Sequence, residues 1–226
     1  MTHASTSTSI SGFSFDELEQ KLYSAVLADI LDDMGYRNQA FGPGLKLIDP
    51  TLKLSGRAFT AQATKVFQIP DQPYKLQMEA IDAVGAGEVF VVSTGAPDEA
   101  AFWGELLATA CRARGGRGAI VDGLNRDTAM LLNMRFPLVS RGQVPTDSKG
   151  RVDLIRYRQP IVIEGVRIHP GDYIFADRDG IVVVPQAAES ETIAKAMKKA
   201  EEENVVRQAL QDGMLCTEAF HRFGIL

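Results

Sequence analysis

The sequence predicts an α/β fold with a central parallel βαβ part and an antiparallel C-terminal part. Two observations support this prediction. Short apolar runs alternate with amphipathic segments of helix length between residues 88 and 139, an order that requires right-handed parallel crossovers. After residue 161, four short apolar runs are separated by turn dipeptides such as Glu164-Gly165 and Asp179-Gly180, a spacing typical of antiparallel hairpins.

The first predicted element is a helix that Ser14 caps. Glu17 lies three residues later and can complete a capping box. Apolar residues then recur at helical spacing until Gly35 ends the run, which predicts one helix over 14–35. The segment 1–12 is rich in Ser and Thr and lacks an apolar centre, so we expect a flexible tail there rather than a signal peptide.

The remaining elements are predicted from apolar runs and from the turn residues between them. Strands are expected over 52–67, 89–92, 119–121, 137–139, 161–163, 166–168, 173–175 and 181–184. Helices are expected over 74–84, 99–114, 126–134 and 187–211. No linker interrupts this order, so residues 13–226 are predicted to form a single domain.

The composition limits the class of protein. A chain of 226 residues, of which 45 % are hydrophobic and 23 % charged, is long enough to bury a full core. Its net charge is −5 and its Lys and Arg residues are scattered, so we expect no nucleic-acid partner. No apolar run approaches the roughly 18 residues that a membrane helix needs. We therefore expect no membrane partner and a cytoplasmic location.

The cysteines and histidines predict neither a zinc site nor a Ser-His-Asp triad. Cys111 and Cys216 lie in apolar helical segments and are expected to be buried, reduced thiols. His3, His169 and His221 are far apart, and none has a second histidine at ligand spacing.

Residues suited to acid–base and metal chemistry follow two of the predicted buried strands. Segment 103–107 reads Trp-Gly-Glu-Leu-Leu, and segment 121–127 reads Val-Asp-Gly-Leu-Asn-Arg-Asp. Ligands of α/β proteins collect at the carboxyl ends of strands, where helix N-termini also offer N–H groups to anions. Asp127 is a hard oxygen ligand, and Arg126 can hold a carboxylate through its planar fork. Taken alone, this pair is more simply a surface salt bridge or a helix cap.

These segments resemble the class II pyruvate aldolase family that contains 4-hydroxy-4-methyl-2-oxoglutarate/4-carboxy-4-hydroxy-2-oxoadipate aldolase. The family signature is an acidic residue, twenty residues and then Arg-Asp, which Glu105 and Arg126-Asp127 match. The similarity covers roughly residues 20–225, with further matches at Phe136-Pro137, Arg141-Gly142, 170–172 and 176–185. The related ribonuclease E activity regulator A (RraA) proteins belong to the same superfamily. The resemblance therefore implies an RraA-like swivelling β/β/α sandwich.

The resemblance implies a metal site with few protein ligands. Asp127 would bind Mg²⁺ or Mn²⁺ directly, and Glu105 would hold it through water. A C-terminal glutamate of a neighbouring subunit would also reach the metal through water, and Glu203 is the first candidate, followed by Glu202.

The resemblance also assigns substrate contacts. Arg126 would bind the pyruvate carboxylate or its enolate oxygen. The backbone of Gly104, Leu106 and Leu107 would hold the substrate carboxylate at a helix start. Asp122 is expected to support the pocket without contacting the substrate.

The implied function is divalent-metal-dependent cleavage of a 4-hydroxy-2-oxo acid to pyruvate, with oxaloacetate decarboxylation through the same enolate. The implied assembly is a homotrimer or a homohexamer. Two alternatives stay open, a regulator that binds an RNA-processing enzyme and a sugar-acid dehydratase or isomerase. The Arg126-Asp127 pair favours the enzyme, because the regulators tend to lack it.

Three departures from the family pattern surround the expected pocket. Asn125 stands where a small apolar residue is common, the loop 94–98 lacks a second glycine, and the ending 220–226 differs from that of the aldolase. Because of these differences, the fragment of the substrate that is split from pyruvate stays unassigned.

Overall fold

A computed structural model describes residues 8–95 and 98–225 of the chain. Its strands are β1 (Ser9–Ile10), β2 (Phe13–Ser14), β3 (Lys46–Leu47), β4 (Leu54–Lys65), β5 (Glu88–Ser93), β6 (Ala101–Trp103), β7 (Gly118–Asp122), β8 (Leu124–Asn125), β9 (Leu138–Ser140), β10 (Gly142–Gln143), β11 (Val152–Tyr157), β12 (Ile161–Ile163), β13 (Val166–Ile168), β14 (Tyr173–Ala176) and β15 (Ile181–Val184). Its helices are α1 (Phe15–Lys21), α2 (Ser24–Asp33), α3 (Lys75–Asp82), α4 (Glu105–Ala113), α5 (Thr128–Asn133), α6 (Glu189–Gln211) and α7 (Cys216–Phe223).

The main sheet combines the predicted parallel and antiparallel parts. Its order is β15-β14-β4-β5-β7-β9-β3, and β11 also pairs with β4. β4, β5, β7 and β9 are parallel neighbours, whereas β3, β11, β14 and β15 pair antiparallel. With 12 residues, β4 is long enough to pair with β14 through its first part and with β11 through its last. The predicted α/β fold is therefore confirmed.

A smaller sheet extends the parallel strands. The next strands along the chain after β5, β7 and β9 are β6, β8 and β10, respectively. These three pair in the order β10-β8-β6, which repeats the order of the strands that precede them. The loops that leave the carboxyl ends of these strands are thereby gathered at one edge of the molecule.

Buried side chains pack on both faces of the main sheet: a cluster that includes the β12–β13 hairpin lies on one face, and two clusters lie on the other. One cluster joins α3 and α4 to β4, β5 and β7 around Phe59, Phe90 and Trp103. Another joins α1, α2 and α6 to β14 and β15 around Leu18 and Phe175. Trp103 is 1 % exposed, and its ring contacts that of Phe90. Trp103 therefore packs in the core.

The single helix predicted over 14–35 is wrong, because the chain forms α1 and α2 instead. The predicted capping box is confirmed. The Glu17 N–H donates to Ser14 Oγ at 3.3 Å, and the Ser14 N–H donates to the Glu17 carboxylate at 2.8 Å. Gly35, with φ of 88°, follows the end of α2 as expected.

Long-range polar contacts cause the break between α1 and α2. Leu22 is extended, and Lys53 Nζ donates to the carbonyls of Glu19 and Leu22 at 2.7 and 2.8 Å. Asp177 then accepts hydrogen bonds from the N–H and Oγ of Ser24, both at 2.7 Å, at the start of α2. Local spacing alone does not reveal either contact.

Further helices start later than predicted, among them α6, which begins at Glu189 instead of 187. Within the helix predicted over 99–114, residues 101–103 are buried as β6 and pair with β8, so α4 begins at Glu105. The helix predicted over 126–134 begins at Thr128. β11 and α7 lie where no element was predicted.

Several expectations concern the chain ends and the cysteines. Residues 1–7, 96, 97 and 226 lie outside the described residues, whereas Ile10, within the predicted tail, is 2 % exposed and belongs to a β1–β2 hairpin. Cys111 is buried as predicted, and burial raises its pKa to about 12. The prediction is wrong for Cys216, which is exposed at the start of α7. Across residues 8–95 and 98–225, no helix combines the length and apolarity needed to cross a membrane.

Candidate active site

The two chemically promising segments of the sequence meet at the end of the small sheet. Gly104 and Glu105 follow β6, and Arg126 and Asp127 follow β8. β6 and β8 are neighbours, and the Arg126 N–H donates to the Trp103 carbonyl at 2.9 Å. The fold thus brings the acidic residue of the signature to its Arg-Asp pair.

A buried asparagine positions the turn that carries Arg126 and Asp127. Asn125 is fully buried; its Oδ1 accepts from Ser140 Oγ at 2.7 Å, and its Nδ2 donates to Thr128 Oγ1 at 2.9 Å. These bonds tie the end of β8 to β9 and to α5. A polar residue is tolerated at this family position because both ends of its amide are partnered.

Asp127 has an unusual backbone for a residue with a side chain. Its φ is 58° and its ψ is 31°, in the left-handed region. It stands at the N-cap position of α5, but its side chain makes no capping hydrogen bond to that helix. Instead Oδ2 accepts from the Glu105 N–H at 3.1 Å, and the side chain is 38 % exposed. Strained conformations of this kind persist where the surrounding structure holds them, often at functional sites.

Gly104 allows this approach of the two segments. A Cβ at this position would lie 2.7 Å from Asp127 Oδ2 and 3.4 Å from Arg126 Cγ. Its φ of −150° is open to any residue, so the requirement for glycine here is one of space. A larger residue would push the Asp127 carboxylate away from the Glu105 N–H.

The start of α4 presents N–H groups beside Asp127. The Ala108 N–H makes a helical bond to the Gly104 carbonyl at 3.2 Å, so the N–H groups of Leu106 and Leu107 precede the helical ladder. Leu106 is 78 % exposed. Glu105 Oε1 accepts from Thr109 Oγ1 at 2.7 Å, which orients the carboxylate along the helix. The helix start that the sequence predicts here is present, and its binding of an anion stays a prediction.

The cluster also contains two residues that the sequence did not predict. Arg126 Nη1 lies 3.3 Å from Asp147 Oδ1, and the Tyr74 hydroxyl donates to the other oxygen of Asp147. Burial, followed by this hydrogen bond, raises the pKa of Tyr74 to about 12. Asp147 lies 20 residues beyond Asp127 in an irregular loop and Tyr74 in another, so no motif or period connects them to Arg126.

Asp122 lies near the site but is engaged elsewhere. Its carboxylate accepts from Arg141 Nε at 2.6 Å, and Arg141 Nη2 also pairs with Glu164 at 2.8 Å. Burial lowers the pKa of Arg141, but the hydrogen bonds to these two carboxylates outweigh burial and raise it. Asp122 therefore fixes the chain between β7 and β8 rather than touching Arg126 or Asp127.

Glu203 is not part of this cluster in the described chain. It lies on α6, where the Tyr23 hydroxyl donates to its carboxylate. Burial and the contact with Glu203 raise the pKa of Tyr23. Glu202 pairs along the same helix with Lys198 at 3.6 Å. A role for either glutamate at Asp127 thus requires a second subunit.

The charges of the cluster suit a divalent cation. Glu105, Asp127 and Asp147 contribute three carboxylates against the single guanidinium of Arg126, so negative charge is in excess. Within the described residues, no group of three His, Cys, Asp or Glu side chains could hold a metal ion. One partly exposed carboxylate fits Mg²⁺ or Mn²⁺, since Mg²⁺ keeps several waters and uses few protein ligands, and it does not fit a closed zinc site.

Comparison with known proteins decides the family. A family model described as "RraA-like: Aldolase/RraA" matches residues 24–183. The chain belongs to the RraA-like family. The matched range includes both segments of the site and the antiparallel strands to β15, and it confirms the resemblance read from Glu105 and Arg126-Asp127.

Individual relatives include both proteins named as enzymes and regulators. Over 143 residues the chain is 29 % identical to a Halalkalibacterium halodurans protein named "Putative 4-hydroxy-4-methyl-2-oxoglutarate aldolase", covering 63 % of this chain and 68 % of that protein. It is 26 % identical over 200 residues to Protein DlpA of Legionella pneumophila, covering 87 % of this chain but only 31 % of DlpA. Streptomyces coelicolor RraAS2, described as an unusual member of the RNase ES inhibitor RraA protein family, matches with a TM-score of 0.76 and 28 % identity, over 84 % of this chain and 94 % of RraAS2.

Proposed function

We propose that this chain is a divalent-metal-dependent lyase that cleaves a 4-hydroxy-2-oxo acid to pyruvate. The observation that carries the proposal is the meeting of Arg126 and Asp127 with the start of α4, where the N–H groups of Leu106 and Leu107 precede the helical ladder. The cluster offers N–H groups to a substrate carboxylate, Arg126 to a 2-oxo oxygen and the Asp127 carboxylate to a cation. Oxaloacetate decarboxylation is proposed as a second activity, because it passes through the same pyruvate enolate.

The chain's own groups hold and polarise the substrate. The N–H groups of Leu106 and Leu107 bind the carboxylate next to the 2-oxo group. Arg126 donates to the 2-oxo oxygen, on which negative charge grows as the C3–C4 bond breaks and its electron pair moves toward C2. Glu105 orients a water, and through that water it accepts the proton that the C4 hydroxyl releases as C4 leaves as a carbonyl compound. The same water then returns a proton to C3 of the enolate, which gives pyruvate.

Asp127 is the residue of this chain that would hold the metal directly. A bound Mg²⁺ or Mn²⁺ would act as a Lewis acid toward the 2-oxo group. The excess of carboxylates around Arg126 repels a dianionic substrate, so metal dependence is expected from charge as well as from ligand chemistry.

We further propose that the working unit is a homo-oligomer, a trimer or a hexamer, in which Glu203 of one subunit completes the site of the next. Mixing two inactive variants, Asp127→Asn and Glu203→Gln, tests this directly. Reassembled mixed oligomers should regain part of the activity, because some sites then receive both intact residues. No recovery in verified mixed oligomers, or a monomer by light scattering with full activity, would contradict the shared site.

The substrate class is tested with a panel of 4-hydroxy-2-oxo acids. Pyruvate release is followed with Mg²⁺, with Mn²⁺ and with EDTA. We expect at least one member of the panel to release pyruvate with Mg²⁺ or Mn²⁺, and we expect EDTA to abolish that release. If no member is cleaved in any metal, the lyase proposal fails.

A regulator is the second candidate, and the likeness to RraAS2 favours it. Such a protein would bind an RNA-processing enzyme through its surface. Metal-independent binding to an enzyme of that class, together with the absence of lyase activity, would place the regulator first.

A further inference from the structure

Arg126 is held by a second residue that stands outside the family signature. Its Nη1 lies 3.3 Å from Asp147 Oδ1, so the two partly exposed side chains form an ion pair. The other carboxylate oxygen of Asp147 accepts a hydrogen bond from the Tyr74 hydroxyl. Side chains of Arg126 and Asp147 are 39 % and 33 % exposed, so the pair lies at the mouth of the site rather than within the core.

Contacts with β6 hold the segments that carry both residues of the support. The Ala101 N–H donates to the Thr146 carbonyl at 2.9 Å, and Ala101 forms an isolated parallel bridge with Asp147. Asp147 is thereby attached to β6. Tyr74 has φ of 63°, an unfavourable conformation for a residue with a large side chain, immediately before α3. α3 is itself tied to β6, since Gln77 Nε2 donates to the Phe102 carbonyl at 3.1 Å.

These contacts place the guanidinium nitrogens of Arg126 at unequal distances from two carboxylates. Nε faces Asp127 Oδ2 at 3.9 Å, and Nη1 faces Asp147. Nη2 lies farther from both carboxylates than these two nitrogens do. A bidentate grip on a substrate carboxylate through either edge of the fork would therefore compete with one of the two aspartates. The arrangement favours a contact with one oxygen atom instead.

We propose that Asp147 and Tyr74 are positioning residues that orient the Arg126 guanidinium toward a single reacting oxygen. This inference rests on the proposed lyase function for its kinetic consequence, but the orientation itself is a property of the free protein. Neither residue contacts the substrate. Their effect is to remove alternative orientations of a long, flexible side chain before the substrate arrives.

Kinetics of three variants test the consequence. Asp147→Ala and Tyr74→Phe remove the support, whereas Asp147→Asn keeps the shape and one acceptor. For oxaloacetate with saturating Mg²⁺, Asp147→Ala should lower kcat about 10- to 100-fold and change KM less than about 3-fold, because a misplaced Arg126 fails mainly in the transition state. Tyr74→Phe should lower kcat less, and Asp147→Asn should recover part of the loss.

Two matched controls separate orientation from a general disturbance. Asp82→Asn removes an aspartate that pairs with Arg114 on an exposed surface at the far end of α3. Tyr157→Phe removes a hydroxyl from a tyrosine that stacks on Phe59. Both should keep kcat and KM within about 2-fold of the parent protein. A merely structural role for Asp147 would lower the unfolding midpoint while leaving kcat per folded molecule unchanged.

A second readout requires neither metal nor substrate. ¹⁵N relaxation of Arg126 Nε in the metal-free protein should show a restricted group in the parent chain and in Asp147→Asn, and a mobile one in Asp147→Ala. Unchanged Nε mobility in Asp147→Ala and Tyr74→Phe would overturn the positioning role, whatever the activity. Faster turnover of Asp147→Asn would overturn it as well, because Asp147 would then be a competitor for Arg126. Loss of restriction without lyase activity in the parent protein would reject the proposed function and keep the orientation.

Discussion

Asp127 and Asp177 both stand in tight turns after short strands, yet their surroundings differ. Asp177 is 8 % exposed and accepts hydrogen bonds from the Ser24 N–H, the Ser24 hydroxyl and the Asp179 N–H, at 2.7, 2.7 and 3.0 Å. Asp127 is 38 % exposed, has a strained backbone and accepts one bond, from the Glu105 N–H. A carboxylate whose oxygens accept hydrogen bonds from the protein stabilises the fold. A carboxylate on a strained backbone whose oxygens accept few such bonds is available for a ligand.

The comparison predicts that Asp127 matters for activity and little for stability. Asp127→Asn keeps the left-handed backbone, because Asn tolerates that conformation, but it removes the charge. Pyruvate release should fall about 1000-fold, the scale on which loss of one electrostatic contact at a reacting centre is felt. The urea unfolding midpoint should stay close to that of the parent protein. Normal turnover in this variant would remove Asp127 from the mechanism.

Gly104→Ala should disturb the same carboxylate without changing its chemistry. The new Cβ would stand 2.7 Å from Asp127 Oδ2, so we expect activity to fall about 10- to 100-fold. Gly180→Ala is the matched control, since Gly180 lies beside Asp177 and nothing lies within 4 Å of its added Cβ. Steady-state kinetics of both variants, on equal amounts of folded protein, make the comparison. Equal activities would show that the close approach at Gly104 has no role.

Asp177→Ala should show the opposite behaviour. It leaves the N–H groups of Ser24 and Asp179 without their acceptor, and we expect a loss of about 2–4 kcal/mol in the free energy of unfolding. Asp179→Ala, which removes an exposed carboxylate in the same turn, should cost much less. Urea titrations measure both values. Activity per folded molecule should be retained in both variants. A specific loss of kcat in Asp177→Ala would contradict the proposed difference between Asp127 and Asp177.

The smallest expected effect is on the alkaline titration of Tyr74. The folded protein raises its pKa from 10.0 to about 12, so its contribution to stability is present below pH 10 and is lost as the pH rises toward 12. Tyr74→Phe should reduce the tyrosinate absorbance that appears above pH 11 and leave the part near pH 10 unchanged. A reduction near pH 10 instead would mean that the hydroxyl does not donate to Asp147.

The sequence predicted what depends on local patterns and short spacings. The parallel strands, the hairpins around Glu164-Gly165 and the capping box of Ser14 follow from periods of two and 3.6 and from turn residues. The juxtaposition of Glu105 with Arg126 and Asp127 followed from strand ends and from the family signature. The roles of these residues, and that of Glu203, remain predictions.

The sequence failed where distant residues decide local structure. β6 reads as helix because Ala101 and its neighbours are apolar, and only pairing with β8 makes them a strand. The break at Leu22 depends on Lys53 and Asp177, which are far along the chain. Asp147 was missed for the same reason, because no spacing links it to Arg126.

The most direct test of the lyase account is pyruvate release from oxaloacetate, followed with lactate dehydrogenase, with Mg²⁺ and with EDTA. The parent protein, Arg126→Ala and Arg126→Lys are compared, since lysine keeps the charge but loses the planar fork. The account predicts metal-dependent release above the background of free metal, abolished in Arg126→Ala and strongly reduced in Arg126→Lys. Release that is equal in all three proteins would contradict it.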